Sequence, residues 1–357
     1  MSQPPSALPA PSRLPQVYTL GEEVHDLFAV PVAGAVGAPS GAGVTLLHLG
    51  DDGSLRHEET ELSLPEGVAL VSGDTRFLPP LDRKRIACVQ ARRVLIADLA
   101  SRSVVKHRVC HWLEECIAGA WRLDGRGLRL LLDVNEYGAA GTAQRLLRVV
   151  DLSAQAPAIL GERRLGPRGD GNSAPLAAQG ETVLLYDVKA HTLTALDAGL
   201  APVNHPLAAL LADQHRRLRR VCEMAVHPRL PLAVLIDRDP ARNRAYAVHV
   251  ARWSGSSPSI DPLPLSGAGT EHGRYYAGAE FSPDGRWLVL RDESADARQP
   301  VLMAAPVSEE QGGALGPPLV LGRTLLGPLA ATAWVTEPLS FVVCDGAALY
   351  RWRLDQA

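Results

Sequence analysis

The sequence predicts an all-β fold: a seven-bladed β-propeller of four-stranded antiparallel blades, with one short helical insertion. Two observations predict it. A short apolar run that ends in a polar residue and a turn returns along nearly the whole chain, and a second apolar run precedes most of the copies. The runs have the length of strands, and their spacing of about 51 residues lies in the range of propeller repeats. Seven such units fill the 357 residues.

The repeated run is clearest at Val94-Leu-Ile-Ala-Asp-Leu and at Leu146-Leu-Arg-Val-Val-Asp-Leu. When all copies are aligned, the polar position is occupied by His48, Asp98, Asp151, Asp187, His249, Pro306 and Arg353. The second type of run, such as Leu232-Ala-Val-Leu-Ile-Asp, comes before it in the chain. We interpret the repeated run as the third strand of each blade and the preceding run as the buried second strand.

A tight turn links the first and second strands of several units. In Phe281-Ser-Pro-Asp-Gly-Arg the proline fixes φ and Asp-Gly closes the turn, which is typical of a hairpin. Together with Ile96-Ala-Asp-Leu and Leu185-Tyr-Asp-Val, interpreted as third strands, this segment resembles the WD-repeat family and related bacterial propellers. The repeats are degenerate, because no unit carries a Trp-Asp pair. The resemblance implies one propeller over residues 16–357, with the loops between second and third strands on one face.

Four further segments carry expectations of their own. Residues 1–15 are rich in Pro and Ser without the apolar core of a signal peptide, so we expect a disordered leader. Residues 15–20 could supply the outer strand of the last blade, as in the propellers they resemble, or the innermost strand of the first blade. The glycine-rich residues 34–43 predict a flexible loop. Residues 206–220 have leucines at helical spacing and predict the helix, between the fourth and fifth blades.

The charge balance excludes several classes of partner. Thirty-six basic and 39 acidic residues leave a formal net charge of −3, which points neither to nucleic acid nor to a membrane. No apolar stretch is long enough for a transmembrane helix. The dense arginine run at residues 216–220 fits a solvated helix face better than an RNA site. We expect a cytoplasmic protein, monomeric on its own, and its Arg-rich, Lys-poor composition indicates a bacterial source.

Motifs of metal sites and catalysis are absent from the sequence. The five cysteines are odd in number and irregularly spaced, which argues against a disulfide framework. Cys110, His111 and Cys116 lack the further ligands of a zinc site, and we expect structural roles for His205, His215, His227 and His249. No nucleophile elbow, phosphate-binding loop or zinc-protease motif occurs. The sequence therefore predicts no catalytic residue, no metal and no cofactor.

Acidic residues follow several of the predicted second strands, where polar loops begin. The candidate binding residues are Asp133, Glu136, Asp237, Asp239, Asp292 and Glu293. Because these loops share one face of a propeller, the carboxylates could converge into an acidic rim for a basic partner or a cation. Alternatively, each Asp caps a strand end through an Asx turn. On exposed loops, replacement of Asp237 or Asp292 by Ala should cost less than about 1 kcal/mol.

The function that these observations favour is a non-catalytic scaffold, which binds protein partners through a propeller face. The missing catalytic motifs and the degenerate repeats support it. The alternative is a propeller enzyme, such as a lactonase-like hydrolase, with the acidic loop ends as its site at the channel mouth. A third interpretation is a sensor of a small ligand in the channel. Only analogy of fold supports any of the three.

Overall fold

The computed structural model shows seven antiparallel sheets that form the blades of a β-propeller. It describes residues 15–70, 75–78, 80–123, 128–138, 143–154, 156–167, 176–187, 190–214, 218, 221–238, 246–254, 258–263, 276–292, 301–323 and 331–354. The fold class predicted from the sequence is confirmed. Within the described residues, no helix is both long enough and apolar enough to cross a membrane.

The strands of the first four blades are given from the innermost strand outward, after the N-terminal strand β1 (Gln16–Thr19). The first blade contains β2 (Phe28–Ala29), β3 (Ala35–Pro39), β4 (Gly43–Leu49) and β5 (Leu55–Glu61). The second contains β6 (Arg76–Phe77), β7 (Arg85–Gln90), β8 (Arg93–Asp98) and β9 (Ser103–Arg108). The third contains β10 (Glu114–Leu123), β11 (Arg129–Tyr137), β12 (Ala143–Asp151) and β13 (Ala158–Pro167). The fourth contains β14 (Leu176–Gln179), β15 (Thr182–Asp187), β16 (Thr192–Leu196) and β17 (Pro202–Val203).

The helix α1 (Pro206–Gln214) follows the fourth blade. The fifth blade contains β18 (Val221–Val226), β19 (Leu232–Arg238), β20 (Tyr246–Arg252) and β21 (Ser259–Pro262). The sixth contains β22 (Tyr276–Phe281), β23 (Trp287–Asp292) and β24 (Val301–Ser308), against which both the short β25 (Ala314–Leu315) and the outer β26 (Leu319–Arg323) pair. The seventh contains β27 (Ala331–Thr336), β28 (Leu339–Cys344) and β29 (Ala348–Arg353), completed by β1.

Seven apolar layers hold the ring together, one between each pair of neighbouring blades. The central strands contribute to two layers at once. On β11, Leu132 packs in the layer shared with the second blade, whereas Leu131 packs in the layer shared with the fourth. Since side chains alternate along a strand, both faces of such a strand are covered, and its sequence is continuously apolar.

The ring is closed by the N-terminal strand. β1 pairs antiparallel with β29, with Gln16 opposite Arg351 and Thr19 opposite Ala348. The sequence allows two roles for residues 15–20. In the structure they form the outer strand of the last blade. The innermost strand of the first blade is β2 instead. This pairing removes the open sheet edge that an unclosed last blade would expose.

The helix α1 lies where the sequence predicts it, between the fourth and fifth blades. Its residues Leu207, Leu210 and Leu211 are buried in the layer that these two blades share. Apolar packing of one face stabilises so short a helix, because nine residues are too few to be stable alone. The four arginines of the run at 216–220 lie outside the described residues.

Two interpretations of local structure were wrong. The run Val183-Leu-Leu-Tyr-Asp forms β15, the second strand of its blade, and not the third. Both central strands of a blade are buried on two faces, so an apolar run alone does not distinguish them. Residues 34–43 form β3 and the turn to β4 rather than a flexible loop. Gly37 is required there, because a Cβ would lie 2.4 Å from the Phe28 ring.

Candidate functional site

Asp133 lies inside the propeller rather than on its rim. The strand β11 continues to Tyr137, so the segment after Asp133 that the sequence predicts as a loop is a strand. Asp133 is 1% exposed, and its carboxylate accepts hydrogen bonds from Arg145 Nε at 3.0 Å and Nη2 at 2.8 Å. By alternation with Leu131, it faces the fourth blade. A buried carboxylate held by two donors of one guanidinium is neutralised within the fold.

Glu136 lies on the opposite face of the same strand. It forms a bidentate ion pair with Arg164 of β13, with both hydrogen bonds at 2.9 Å. The hydrogen bonds from Arg164 lower the pKa of Glu136 from its usual range. The carboxylates of Asp133 and Glu136 therefore point to different blade interfaces and do not converge.

Asp237 is also buried, at 5% exposure, on β19. It lies beside Tyr186 and His249 in the interface between the fourth and fifth blades; burial and the Asp237 charge raise the pKa of Tyr186 to about 12. This burial contradicts the expectation of an exposed loop position, since the strand continues to Arg238. Asp292 ends β23, but its side chain, together with Asp239 and Glu293, lies outside the described residues.

His205 and His227 form hydrogen bonds within the fold, and His215 lies outside the described residues. The buried Nδ1 of His227 accepts hydrogen bonds from the backbone amides of Arg229, at 3.0 Å, and Leu230, at 2.8 Å. Its Nε2 lies 2.9 Å from Gly285 O in the turn of the sixth blade, so this nitrogen carries the proton. His205 Nδ1 accepts from the Leu207 amide at the start of α1. Among the residues that the structure describes, no group of three His, Cys, Asp or Glu side chains is placed to hold a metal.

The connection between the second and third blades, residues 109–113, is fixed by a buried arginine. Arg148 of β12 is 2% exposed, and its Nη1 donates to Val109 O at 2.6 Å and to Glu114 Oε2 at 2.7 Å. Its Nη2 donates to Glu114 Oε1 at 2.8 Å, and its Nε to Glu162 at 2.6 Å. The backbone amide of His111 donates to the same Glu114 carboxylate at 2.8 Å. Despite its burial, these hydrogen bonds lower the pKa of Glu114.

The turn between β7 and β8 fixes the same connection from the other side. The amides of Val109 and Cys110 donate to Arg92 O at 3.1 and 3.2 Å, and the amide of Cys116 donates to Ala91 O at 2.6 Å. Ala91 has a φ of 35°, in the left-handed region that costs energy for a residue with a Cβ. In a propeller, the turns between second and third strands lie on the same face as the connections between blades. One face therefore carries both the turn between β7 and β8 and the connection at residues 109–113.

Two apolar side chains project from this fixed connection into solvent. Trp112 is 69% exposed, more than any other large apolar residue in the described chain, and the adjacent Leu113 is 39% exposed. The backbone carbonyl of Leu113 is held by the Tyr137 amide at 2.8 Å. The other exposed large apolar residues lie on outer strands. An exposed tryptophan on a rigid backbone is typical of a binding hot spot, because little entropy is lost on contact.

Sequence reasoning did not single out Trp112. The segment Cys110-His-Trp-Leu was considered only as an incomplete zinc site. A signal was present, since Trp-Leu between two strands belongs to neither apolar run. The sequence does not show that these side chains are exposed, because the conformation of the connection depends on hydrogen bonds from Arg148 on another strand.

A second polar feature lies on the innermost strands. Glu280 of β22 keeps part of its surface exposed, and it accepts a hydrogen bond from Trp334 Nε1 of β27 at 2.6 Å. The surrounding ring of protein limits its hydration and raises its pKa, although Trp334 and Arg291 act in the opposite direction. Glu223 of β18 accepts from the Ala279 amide at 2.9 Å. These contacts join the fifth, sixth and seventh blades around the channel.

Comparison with known proteins shows the fold and nothing more specific. No protein-family model matches the chain, and no curated protein matches it. It is similar to a chain of the mitotic checkpoint complex, at 11% identity over 99% of this chain and 95% of that one, with a TM-score of 0.48. It is also similar to an ancestral GH74 enzyme (13% identity, 93% of this chain, TM-score 0.55) and to Raptor from Chaetomium thermophilum (8%, 94%, 0.53).

The chain spans 45% of the GH74 enzyme chain and 28% of the Raptor chain. At such low identities, the likeness establishes the architecture alone. Together with the seven sheets and the strand order, it defines the class of this protein. The chain is a seven-bladed β-propeller.

Proposed function

We propose that this protein is a non-catalytic scaffold that docks a protein partner on the face carrying Trp112 and Leu113. The observation that carries the proposal is the 69% exposure of Trp112 on a backbone fixed from two sides. An immobile aromatic side chain supplies a large contact area at low entropic cost.

The described acidic residues support a scaffold over an enzyme with an acidic site. Asp133 is paired with Arg145, and Glu136 with Arg164. A carboxylate whose charge is compensated by an arginine holds a cation poorly and is a weak general base. The alternative of a hydrolase with these acids at the channel mouth is therefore disfavoured.

The proposal is tested by site-specific photo-crosslinking in cells of the native host. A photoreactive amino acid replaces Trp112 in one variant and Val203 in a control variant. Val203 is 40% exposed on the outer strand β17, away from the proposed face. We expect one protein to be crosslinked from position 112 and not from position 203.

The partner found in this way is then used in a direct binding measurement with purified proteins. Trp112→Ala should weaken binding by tenfold or more, about 1.4 kcal/mol, without changing the melting temperature, since an exposed side chain adds little to stability. Val203→Ala should leave binding unchanged. Equal crosslinking from both positions, or unchanged binding by Trp112→Ala, would refute the proposed docking face.

A further inference from the structure

Two arginines in the blade that precedes the Trp112 connection face each other, and no described carboxylate pairs with either of them. Arg93 of β8 lies directly opposite Arg108 of β9 in the antiparallel pair. Like charges in this arrangement destabilise a sheet. In the described part of the chain, neither arginine forms an ion pair: Arg108 Nε donates to Cys110 O at 3.3 Å, and Arg93 points to Gly67 O at 3.5 Å.

A third arginine extends this positive surface towards the tryptophan. Arg92 occupies the turn between β7 and β8, is exposed, and donates from Nε to Glu114 O at 3.2 Å. Each of the three guanidinium groups thus contacts a backbone carbonyl, and none of them is paired with a carboxylate of the described residues. We call Arg92, Arg93, Arg108, Trp112 and Leu113 the arginine–tryptophan patch.

Two carboxylates close to Trp112 in the chain are occupied by other groups. Glu114 is held by Arg148, and Glu115 accepts a hydrogen bond from the Tyr137 hydroxyl at 3.3 Å. A chain with a formal charge of −3 therefore presents a local excess of positive charge at this point. Because the arrangement costs stability in the free protein, a role in binding an anion gives it a physical reason.

We propose that the arginine–tryptophan patch binds a short acidic segment of a protein partner. This inference rests on the proposed function and specifies the chemistry of the occupant. Carboxylates of the segment pair with Arg92, Arg93 and Arg108, and one apolar side chain of the segment packs on Trp112 and Leu113. Arginine forks suit carboxylates, with which they form two parallel hydrogen bonds.

The composition of the patch favours an acidic peptide over nucleic acid. A single-stranded nucleic acid is bound on several aromatic platforms along a continuous basic groove, whereas this patch has one exposed tryptophan and three arginines. Glu66, next to Gly67, is exposed at its border and would repel an extended polyanion. The chain's own residues 1–14 are excluded by charge, since they contain Arg13 and no carboxylate side chain.

The test uses the full chain and fluorescence anisotropy with three labelled probes. The first is a short peptide of alternating Asp and Glu with one central Phe, the second has Asn and Gln in their place, and the third is a single-stranded oligonucleotide of equal length. We expect the acidic peptide to bind more tightly than the other two, and its affinity to fall as NaCl is added.

Variants assign the binding to the patch. Arg93→Gln and Arg108→Gln should each weaken binding of the acidic peptide up to about fivefold, as expected for the loss of a solvent-exposed ion pair. Arg83→Gln is the matched control, because Arg83 is exposed in the same blade on the opposite face and should have no effect. Arg93→Gln should also keep or raise the melting temperature, because it removes the repulsion. A purely structural arginine would lower it.

The outcomes separate this inference from the proposed function. Equal binding of acidic and neutral peptides, no binding of the acidic peptide, tighter binding of the oligonucleotide, or an equal loss in Arg83→Gln overturns the acidic occupant. None of these outcomes contradicts the proposed docking face, provided that Trp112→Ala still weakens binding of the crosslinked partner. If crosslinking from position 112 also matches the control position, the docking face fails as well.

Discussion

Replacement of Arg351 tests how the propeller ring is closed. This arginine of β29 is 1% exposed and reaches from the last blade into the first. Its Nη1 donates to Leu49 O at 2.9 Å, and its Nε to Ser340 Oγ at 3.1 Å. Nη1 also lies 3.4 Å from the Tyr18 hydroxyl on β1 and 3.2 Å from Asp51 Oδ1. One guanidinium thus joins three strands of the last blade to the first blade.

The expected magnitude follows from these contacts. Two buried hydrogen bonds from a charged donor contribute about 1.5–3 kcal/mol each. The contact with Asp51 adds little, because that carboxylate is 63% exposed. Burial of the Arg351 Nη2, which has no partner among the described residues, offsets part of the sum. Arg351→Ala should therefore lower the free energy of unfolding by about 3–4 kcal/mol.

The matched control is Arg353→Ala. Arg353 lies two residues further on the same strand and pairs with the same Asp51 at 2.9 Å, but its side chain is 26% exposed. Arg353→Ala should therefore lower the free energy of unfolding by only about 0–1 kcal/mol. Urea unfolding followed by tryptophan fluorescence measures the difference, because Trp352, buried between the sixth and seventh blades, reports the unfolding of the last blade.

For a chain of this length, a loss of 3–4 kcal/mol corresponds to a decrease in Tm of about 4–6 °C. Arg351→Lys keeps the charge but not the several donors of the guanidinium group, so its Tm should lie between those of the unchanged protein and Arg351→Ala. If Arg351→Ala and Arg353→Ala destabilise equally, backbone pairing of β1 alone closes the ring, and the role assigned to Arg351 is wrong.

Two further predictions concern buried polar groups. Glu114→Gln should lower the free energy of unfolding by about 2–4 kcal/mol, because the buried guanidinium of Arg148 loses its main counter-charge. Glu136→Gln, which removes an exposed ion pair, should lower it by only about 0–1 kcal/mol. Equal losses of the two variants in urea unfolding would contradict this prediction. Burial lowers the pKa of His227, so below about pH 6.5 the unfolded chain binds the proton first, and stability falls as the pH decreases. His227→Gln should be less stable at neutral pH, with a shallower decrease in Tm between about pH 7 and pH 5. If Tm decreases with pH as steeply in His227→Gln as in the unchanged protein, protonation of His227 does not contribute to the pH dependence of stability.

The sequence predicts the fold well because propeller geometry leaves a periodic trace. A central strand such as β19 is covered on both faces, so the run Leu232-Ala-Val-Leu-Ile is apolar throughout. The hairpin after Phe281 is equally local, since proline and glycine determine it. The order of strands in the fourth blade was harder, because β15 and β16 are both apolar and the first strand β14 has only four residues.

The candidate site depends on contacts between residues that are distant in the chain. Asp133 at the end of an apolar run is expected to cap a strand, but Arg145 on the next strand lets the strand continue. Arg148 within Leu-Leu-Arg-Val-Val indicates a buried partner, yet the sequence does not reveal that this partner is Glu114, 34 residues earlier. Local patterns specify strands and turns, whereas pairing of buried charges requires the register of the folded sheet.

The buried charges of the third blade and the exposed tryptophan are parts of one arrangement. Burying Arg148 with Glu114 contributes little net stability, since desolvation offsets the attraction. The same hydrogen bonds, however, fix Val109 O and the His111 amide on both sides of the connection that carries Trp112. A loop without them would lose entropy on binding and dock more weakly. The ion pair is therefore best explained by the conformation that it imposes on this connection, and a partner that recognises Trp112 depends on a network that it never contacts.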